Sequence, residues 1–221
     1  SWKGEQVMIR FDGVESAFYV WLNGRKVGYS QDSYTGGEFD LTPYVKPGRN
    51  TIAVEVYRWS DGSYLEDQDF LRLSGIFRDV TLFSQPQAHV RDLFLKAGLD
   101  RKNYTTGILD GTFTIRNSGK KDIPAGMKLE YSIDGVSTNL NWEGKSGSGS
   151  VKTDNRGRLD SGTLTVPAIP AGGEVQVSLK KEYPGVKPWT AETPNLYKVA
   201  YSLNGKDSRS VNIGFRTVEI A

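Results

Sequence analysis

Closely spaced turn residues constrain this chain more than any other feature. Among its 221 residues are 25 glycines and 9 prolines, and the runs between them are short, β-branched and aromatic, which favours many strands over long helices. Gln6-Val7-Met8-Ile9-Arg10-Phe11 sets Val7, Ile9 and Phe11 on one face and ends in the turn Asp12-Gly13. Ala17-Phe18-Tyr19-Val20-Trp21-Leu22 has no polar alternation and predicts a strand buried on both faces, with Trp21 in the core. Asn23-Gly24 supplies the positive-φ pair of a two-residue hairpin, with Lys26-Val27-Gly28-Tyr29 returning beside it. Strands follow at Glu38-Phe39-Asp40-Leu41-Thr42 and at Thr51-Ile52-Ala53-Val54-Glu55-Val56-Tyr57, the strongest of the chain. Residues 77–83 close this first part, and Ser84-Gln85-Pro86-Gln87 reads as a linker.

The second part predicts strands near residues 89–97, 112–117, 127–133, 162–166, 175–179, 198–203 and 211–215. Seven short strands over this span match an immunoglobulin-like sandwich. Hairpin turns are expected at Asn117-Ser118-Gly119, Asp134-Gly135 and Asn204-Gly205, and Lys145-Ser146-Gly147-Ser148-Gly149-Ser150 reads as a mobile surface loop inside the domain. The expected fold class is therefore all-β.

Composition removes several functions. The net charge of +2, with acids and bases interspersed, gives no nucleic-acid or membrane surface. No apolar run approaches the roughly 20 residues of a spanning helix, and Ser1-Trp2-Lys3-Gly4-Glu5 does not resemble a signal peptide. The chain has no cysteine and one histidine, His89, expected at the surface or between domains. Neither a Ser-His-Asp arrangement nor a zinc site can be assembled from that inventory, and phosphate-cradling glycine motifs are missing.

The run Arg58-Trp59-Ser60-Asp61-Gly62-Ser63-Tyr64-Leu65-Glu66-Asp67-Gln68-Asp69 concentrates four carboxylates and two aromatic rings in twelve residues. Glycoside hydrolysis needs two carboxyl groups about 5–9 Å apart across a sugar, so paired acids invite that chemistry. Acids this close on one loop point in different directions, however, and nothing supplies the facing wall. A solvated or capping acidic loop and a cation- or polyol-binding loop are the competing readings, the last because carboxylates and carbonyls suit hard cations. Trp59 and Tyr64 bracket the acids, as suits a sugar packing its C–H face on a ring; the plainer reading has Trp59 ending a core strand and only packing.

This run, together with Arg72-Leu73-Ser74-Gly75-Ile76-Phe77-Arg78-Asp79-Val80, resembles the bacterial β-galactosidases of glycoside hydrolase family 2. So do Phe11-Asp12-Gly13-Val14-Glu15-Ser16-Ala17-Phe18, Trp21-Leu22-Asn23-Gly24, Val27-Gly28-Tyr29-Ser30-Gln31-Asp32-Ser33 and Glu38-Phe39-Asp40-Leu41. Farther on, Pro188-Trp189-Thr190-Ala191-Glu192-Thr193-Pro194-Asn195-Leu196-Tyr197 and Gly214-Phe215-Arg216-Thr217-Val218-Glu219-Ile220 fit the same family. The resemblance implies a partial jelly-roll sugar-binding domain (galactose-binding-like) over residues 1–84, whose opening strands and sugar-contacting asparagine precede Ser1. An immunoglobulin-like sandwich over residues 85–221 would lead into a (β/α)8 catalytic barrel beyond Ala221. The catalytic acid and nucleophile would be glutamates of that barrel, so no catalytic residue is expected here and the stretch alone is expected to be inactive.

The resemblance gives Asp69 the role of reaching the galactosyl 6-hydroxyl region and of holding a sodium ion with barrel residues, with magnesium on the barrel and no cofactor in this stretch. Trp59, Asp61, Tyr64, Glu66 and Asp67 would form the supporting loop. Phe70-Leu71 stand where the family has Met and then an aromatic, so packing around the loop differs. Expected partners are a β-galactoside substrate, the barrel, and a second copy paired through exposed edge strands, where residues 7–11 and 17–22 are strongly β-forming. The resemblance points to a bacterial protein and leaves cytoplasm and periplasm open. Two rivals remain: a free-standing carbohydrate-binding module, and a structural β-sandwich pair with a solvated acidic loop.

Overall fold

The computed structural model describes residues 2–66, 73–140 and 151–219. Asp67, Gln68, Asp69, Phe70 and Leu71, and the expected loop from Lys145 to Ser150, lie outside the described residues. The chain divides into two compact units, Ser1–Gln87 and Ala88–Ala221.

In the first unit, β1 (Gln6–Phe11) is the middle strand of a sheet between β5 (Gly37–Asp40) and β8 (Val80–Gln85). A second sheet places β3 (Ala17–Leu22) between β4 (Arg25–Gln31) and β6 (Ile52–Tyr57), and β2 (Val14–Glu15) pairs with β7 (Gly75–Ile76). All pairings are antiparallel. Val7, Ile9 and Phe11 meet Phe18, Val20, Leu22, Phe39 and Leu41 in one core, where the Phe11, Phe18 and Phe39 rings lie 5.0, 5.6 and 6.1 Å apart. Gly28 allows this closeness, since a Cβ there would stand 2.7 Å from the Phe39 ring.

Two expectations change. β3 buries Phe18, Val20 and Leu22, but Tyr19 and Trp21 on its other face are only half-buried. A run without polar residues can still alternate between core and surface, because the aromatic rings of Tyr19 and Trp21 serve either face. Further, β1 and β3 are both central strands, so among the described residues the edge strands of these two sheets are β4, β5, β6 and β8.

The second unit pairs a sheet of order β13-β10-β9 with one of order β12-β11-β14-β15. Their spans are β9 (Ala88–Leu99), β10 (Gly107–Asn117), β11 (Lys128–Leu140), β12 (Val151–Thr165), β13 (Glu174–Tyr183), β14 (Leu196–Leu203) and β15 (Asp207–Ile213). Every second residue of β10, β11 and β14 points inward, as Leu109, Phe113 and Ile115, Leu129, Tyr131 and Ile133, and Val199, Tyr201 and Leu203 do. Asn204-Gly205 makes the β14–β15 hairpin at φ 51° and 69°. Asp134-Gly135 makes no turn: β11 runs through it with a shift of register against β12. Nor does Asn117 start a hairpin. It ends β10 at a crossing to the other sheet, and its amide donates to the carbonyls of Lys121 at 2.8 Å and Pro170 at 3.1 Å. His89, expected at the surface or between domains, is 1% exposed on β9, opposite Arg116.

Candidate functional site

The acidic run leaves β6 and forms a single helical turn, α1 (Asp61–Leu65). Serines build its start: the Ser60 N–H donates to Ser63 Oγ at 2.9 Å and the Ser16 hydroxyl to Ser60 Oγ at 3.1 Å. Ser16 and Ser63 are buried, so the turn is seated against the sandwich by small polar groups that satisfy one another. Glu66 ends the turn, its N–H donating to the Gly62 carbonyl at 3.0 Å. Its carboxylate accepts twice from Ser33, from the N–H at 3.1 Å and from the hydroxyl at 2.6 Å.

The turn lies against the end of β4, where a Cβ on Gly62 would stand 3.9 Å from the Gln31 side chain. Tyr29 and Gln31 continue from there, the tyrosine hydroxyl donating to Gln31 Oε1 at 2.8 Å. Burial raises the Tyr29 pKa, and the nearby Asp61 carboxylate and Tyr19 add to it. Tyr19 joins Tyr29, Trp21 and Tyr57 in a ring cluster with centroids 4.7, 5.6 and 5.9 Å away, and Lys26 Nζ sits 3.8 Å from the Tyr19 centroid. The outer face of the β4-β3-β6 sheet is thus aromatic and half-open, with the acidic turn at one end.

Of the residues singled out in sequence, Asp61, Tyr64 and Glu66 sit on this turn or cap it, while Asp67 and Asp69 fall outside the described residues. Asp61 is exposed, and among the described residues its carboxylate accepts a hydrogen bond only from the adjacent Gly62 N–H at 3.0 Å. Tyr64 is 85% exposed. Trp59 does not pack as the end of a core strand: it is 61% exposed, with the Arg58 guanidinium 5.3 Å from its ring centroid. Glu66, one acid of the four in the run, accepts from Ser33 with both of its oxygens, so its carboxylate is held in place although an ionised carboxylate has further acceptor sites to offer. Ser33, Glu15 and Ser74 were not singled out as site residues. Their importance comes from contacts across 33 and 59 residues, of Ser33 with Glu66 and of Glu15 with Ser74.

Among the described residues, no group of three or more His, Asp or Glu is placed to hold a metal, and no helix is long and apolar enough to cross a membrane. A cleft of about 850 Å³ in the first unit is lined by Val7, Ile9, Leu22, Leu41, Ile52 and Leu82 among others. The acidic turn is not part of its wall. What the acidic turn can offer chemically is recognition: exposed carboxylate and ring surface on a rigidly seated support.

Known proteins match nearly the whole chain. Residues 1–86 match the family model described as glycosyl hydrolases family 2, sugar binding domain, and residues 88–216 match that of glycosyl hydrolases family 2. A β-galactosidase of Priestia megaterium is 42% identical over 99% of this chain and 20% of its own length. One from Halalkalibacterium halodurans is 41% identical over 97% and 19%. The chain therefore spans about a fifth of the length of the curated relatives it matches. Among solved structures, a Bacteroides uniformis β-glucuronidase superposes with a TM-score of 0.75 at 22% identity, covering 97% of this chain and 25% of that one. At that identity it shows the fold alone.

Proposed function

The chain belongs to glycosyl hydrolase family 2, and we propose that it is the N-terminal part of a β-galactosidase that hydrolyses terminal β-D-galactosides with retention. The observation that carries this reading is identity above 40% to two bacterial β-galactosidases over essentially the whole chain. In this reading the stretch supplies scaffold and one substrate-contacting side chain, Asp69, while a barrel beyond Ala221 supplies the acid and the nucleophile. Trp59, Asp61, Tyr64, Glu66 and Asp67 support that contact from the same loop. Sodium shared between Asp69 and barrel residues, and magnesium on the barrel, belong to the same proposal. So does pairing of two copies through the edges β4, β5, β6 and β8 rather than through β1 or β3. The free-standing binding module is not favoured, since the matched relatives are β-galactosidases roughly five times this length.

The test uses the complete protein, purified from a host without β-galactosidase. It is expected to cleave a chromogenic β-galactoside, and Asp69→Ala to weaken inhibition by galactose. The 221-residue chain alone is expected to give no turnover. Preference for a β-glucuronide over the β-galactoside, or turnover by the isolated chain that Asp69→Ala abolishes, would overturn the assignment.

A further inference from the structure

Two asparagine-glycine pairs turn the chain with nearly the same backbone but hold their carboxamides differently. Asn23 and Gly24 stand at φ 52° and 77°, and Asn204 and Gly205 at φ 51° and 69°. Both glycines are exposed, and a Cβ on either would meet nothing within 4 Å. Among the described residues neither glycine N–H donates a hydrogen bond. The difference lies in the asparagine side chains. Asn23 is half-buried and tied three times: Nδ2 donates to the Tyr44 carbonyl at 3.0 Å and to Asn50 Oδ1 at 2.8 Å, and Oδ1 accepts from the Thr51 N–H at 3.1 Å. Asn204 is exposed, and among the described residues its carboxamide makes no hydrogen bond.

We propose that Asn204-Gly205 is a site of spontaneous covalent modification, deamidation through a succinimide, and that its hydrogen bonds spare Asn23 the same fate. The only co-reactant is water. The Gly205 amide nitrogen loses its proton to solvent and attacks Asn204 Cγ; the Cγ–Nδ2 bond breaks, ammonia leaves, and a cyclic imide closes. Water then opens the ring. Breaking the bond from nitrogen to Cγ gives aspartate, and breaking the bond to the main-chain carbonyl carbon gives isoaspartate, with one more carbon in the backbone. Glycine in the second place leaves the attacking nitrogen without a neighbouring side chain to shield it. To react, the carboxamide must swing over that nitrogen. Asn204 does so by rotation about its own side-chain bonds, whereas Asn23 must first release three residues, each ordinary bond being worth roughly two- to tenfold. Asp12-Gly13, Asp61-Gly62 and Asp134-Gly135 carry a carboxylate where these pairs carry an amide, and a carboxylate resists attack by a nucleophile. The product matters to the hairpin, because the Lys206 N–H donates to the Leu203 carbonyl at 3.0 Å across residue 204. Aspartate keeps the left-handed conformation that Asn and Asp adopt most readily; isoaspartate lengthens the turn that this bond closes.

Neither substrate nor activity enters this chemistry, so the test stands apart from the β-galactosidase reading. The complete protein is aged at mildly alkaline pH, folded in one sample and held in denaturant in another. Peptide mapping by mass spectrometry, with fragmentation that separates aspartate from isoaspartate, follows both sites over time. In the folded sample Asn204 is expected to convert at least about tenfold faster than Asn23, the worth of the bonds that Asn23 must break. In denaturant those bonds are gone, and the two sites are expected to convert at similar rates. The isoaspartate form, separated by chromatography, is expected to exchange its Lys206 amide hydrogen faster than the parent. Equal rates at the two sites in the folded sample would mean that the ties on Asn23 do not protect it. Conversion of Asn204 only in denaturant would mean that the folded hairpin withholds its carboxamide from the nitrogen. Either result overturns the proposal, as would faster conversion at Asn23 than at Asn204. An isoaspartate form whose Lys206 amide is as protected as the parent's would overturn the effect on the hairpin.

Discussion

Both units fasten their structure with carboxylates, but they fasten different things. In the second unit Asp207, 5% exposed, accepts from the Val90 N–H at 2.7 Å and ties the start of β9 to the β14–β15 hairpin. Asp160 Oδ2 gathers the hydroxyls of Tyr183 at 2.8 Å and Tyr131 at 3.1 Å and the ammonium of Lys181 at 2.9 Å. It stands on β12 and two of its donors on β13, the outer strands of the two sheets, so it closes one edge of the sandwich. In the first unit Glu66 binds Ser33 on the β4–β5 connection and Glu15, on β2, accepts from the Ser74 N–H beside β7. The second unit uses these acids to tie strand to strand across its sandwich, and the first uses them on its connections and its shortest strand pair. Their cores differ accordingly: among the described residues, nine buried apolar side chains form the first and nineteen the second.

That inequality makes the largest prediction. Phe11 is 1% exposed between Phe18 and Phe39, and Phe215 is 0% exposed between Tyr183 and Tyr197. Truncating either to alanine removes a comparable ring and costs about 3–5 kcal/mol. With the smaller core to draw on, Phe11→Ala is expected to abolish slow amide exchange in β1 and β3 at room temperature. Phe215→Ala is expected to lower the midpoint of the second unit while its strands stay protected. Protected amides in β1 and β3 of Phe11→Ala would show that the first core is sturdier than its size implies.

The next contrast is in pH. Burial disfavours the charged form of Asp160, but hydrogen bonds from Lys181, Tyr183 and Tyr131 outweigh it and hold its pKa below the ordinary 3.8. A group depressed in the folded state stabilises fully above its unfolded pKa and loses that contribution as pH falls through the folded one. Asp160→Ala is therefore expected to cost about 1–3 kcal/mol at neutral pH, with the gap to the parent closing below pH 3.8. Asp32 in the first unit is also depressed, first by the Thr35 hydroxyl and then by the Tyr34 N–H, but it is exposed. Solvent screening makes its acid response the smaller. Thermal melts from pH 7 to pH 2 check both. A gap for Asp160→Ala that persists unchanged at pH 2 would mean the carboxylate's charge plays no part in closing the edge.

How far the sequence discloses all this depends on the range of the interaction. Gln6–Phe11 and Ala17–Leu22 are strands at the bounds their patterns predict, because alternation and turn chemistry act within a few residues. Family membership was legible for the same reason, in contiguous blocks such as Arg58-Trp59-Ser60-Asp61-Gly62. Tyr19 and Trp21 misled, since aromatic side chains satisfy a core and a half-open face equally. Asp134-Gly135 misled because tertiary pairing on both sides of β11 overrides a local turn signal. The Glu66–Ser33 and Glu15–Ser74 bonds could not be read at all, as nothing local in either glutamate names a serine so far along the chain.

The two Asn-Gly turns give the smallest effect and the finest comparison. Asn23 and Asn204 have φ of 52° and 51°, each followed by a glycine at 77° or 69°, so their backbones are alike. Their side chains are not. Asn23 Nδ2 donates to the Tyr44 carbonyl at 3.0 Å and to Asn50 Oδ1 at 2.8 Å, and its Oδ1 accepts from the Thr51 N–H at 3.1 Å. Among the described residues the Asn204 carboxamide has no such bond, and only its backbone N–H is engaged, with the Lys128 carbonyl at 2.8 Å. Glycine accepts the backbone at both positions, and its extra freedom in the unfolded chain is a common cost that cancels in the difference. Asn204→Gly is therefore expected to change stability by less than about 1 kcal/mol, and Asn23→Gly to cost about 1–2 kcal/mol more than that, the net worth of partly exposed bonds. Denaturant titration of the two variants measures the difference directly. Equal costs would mean that the turn of the first unit, like that of the second, only reverses the chain; a larger loss at Asn23 would show it also pins the connection between β5 and β6, in keeping with a unit whose small core leans on polar ties.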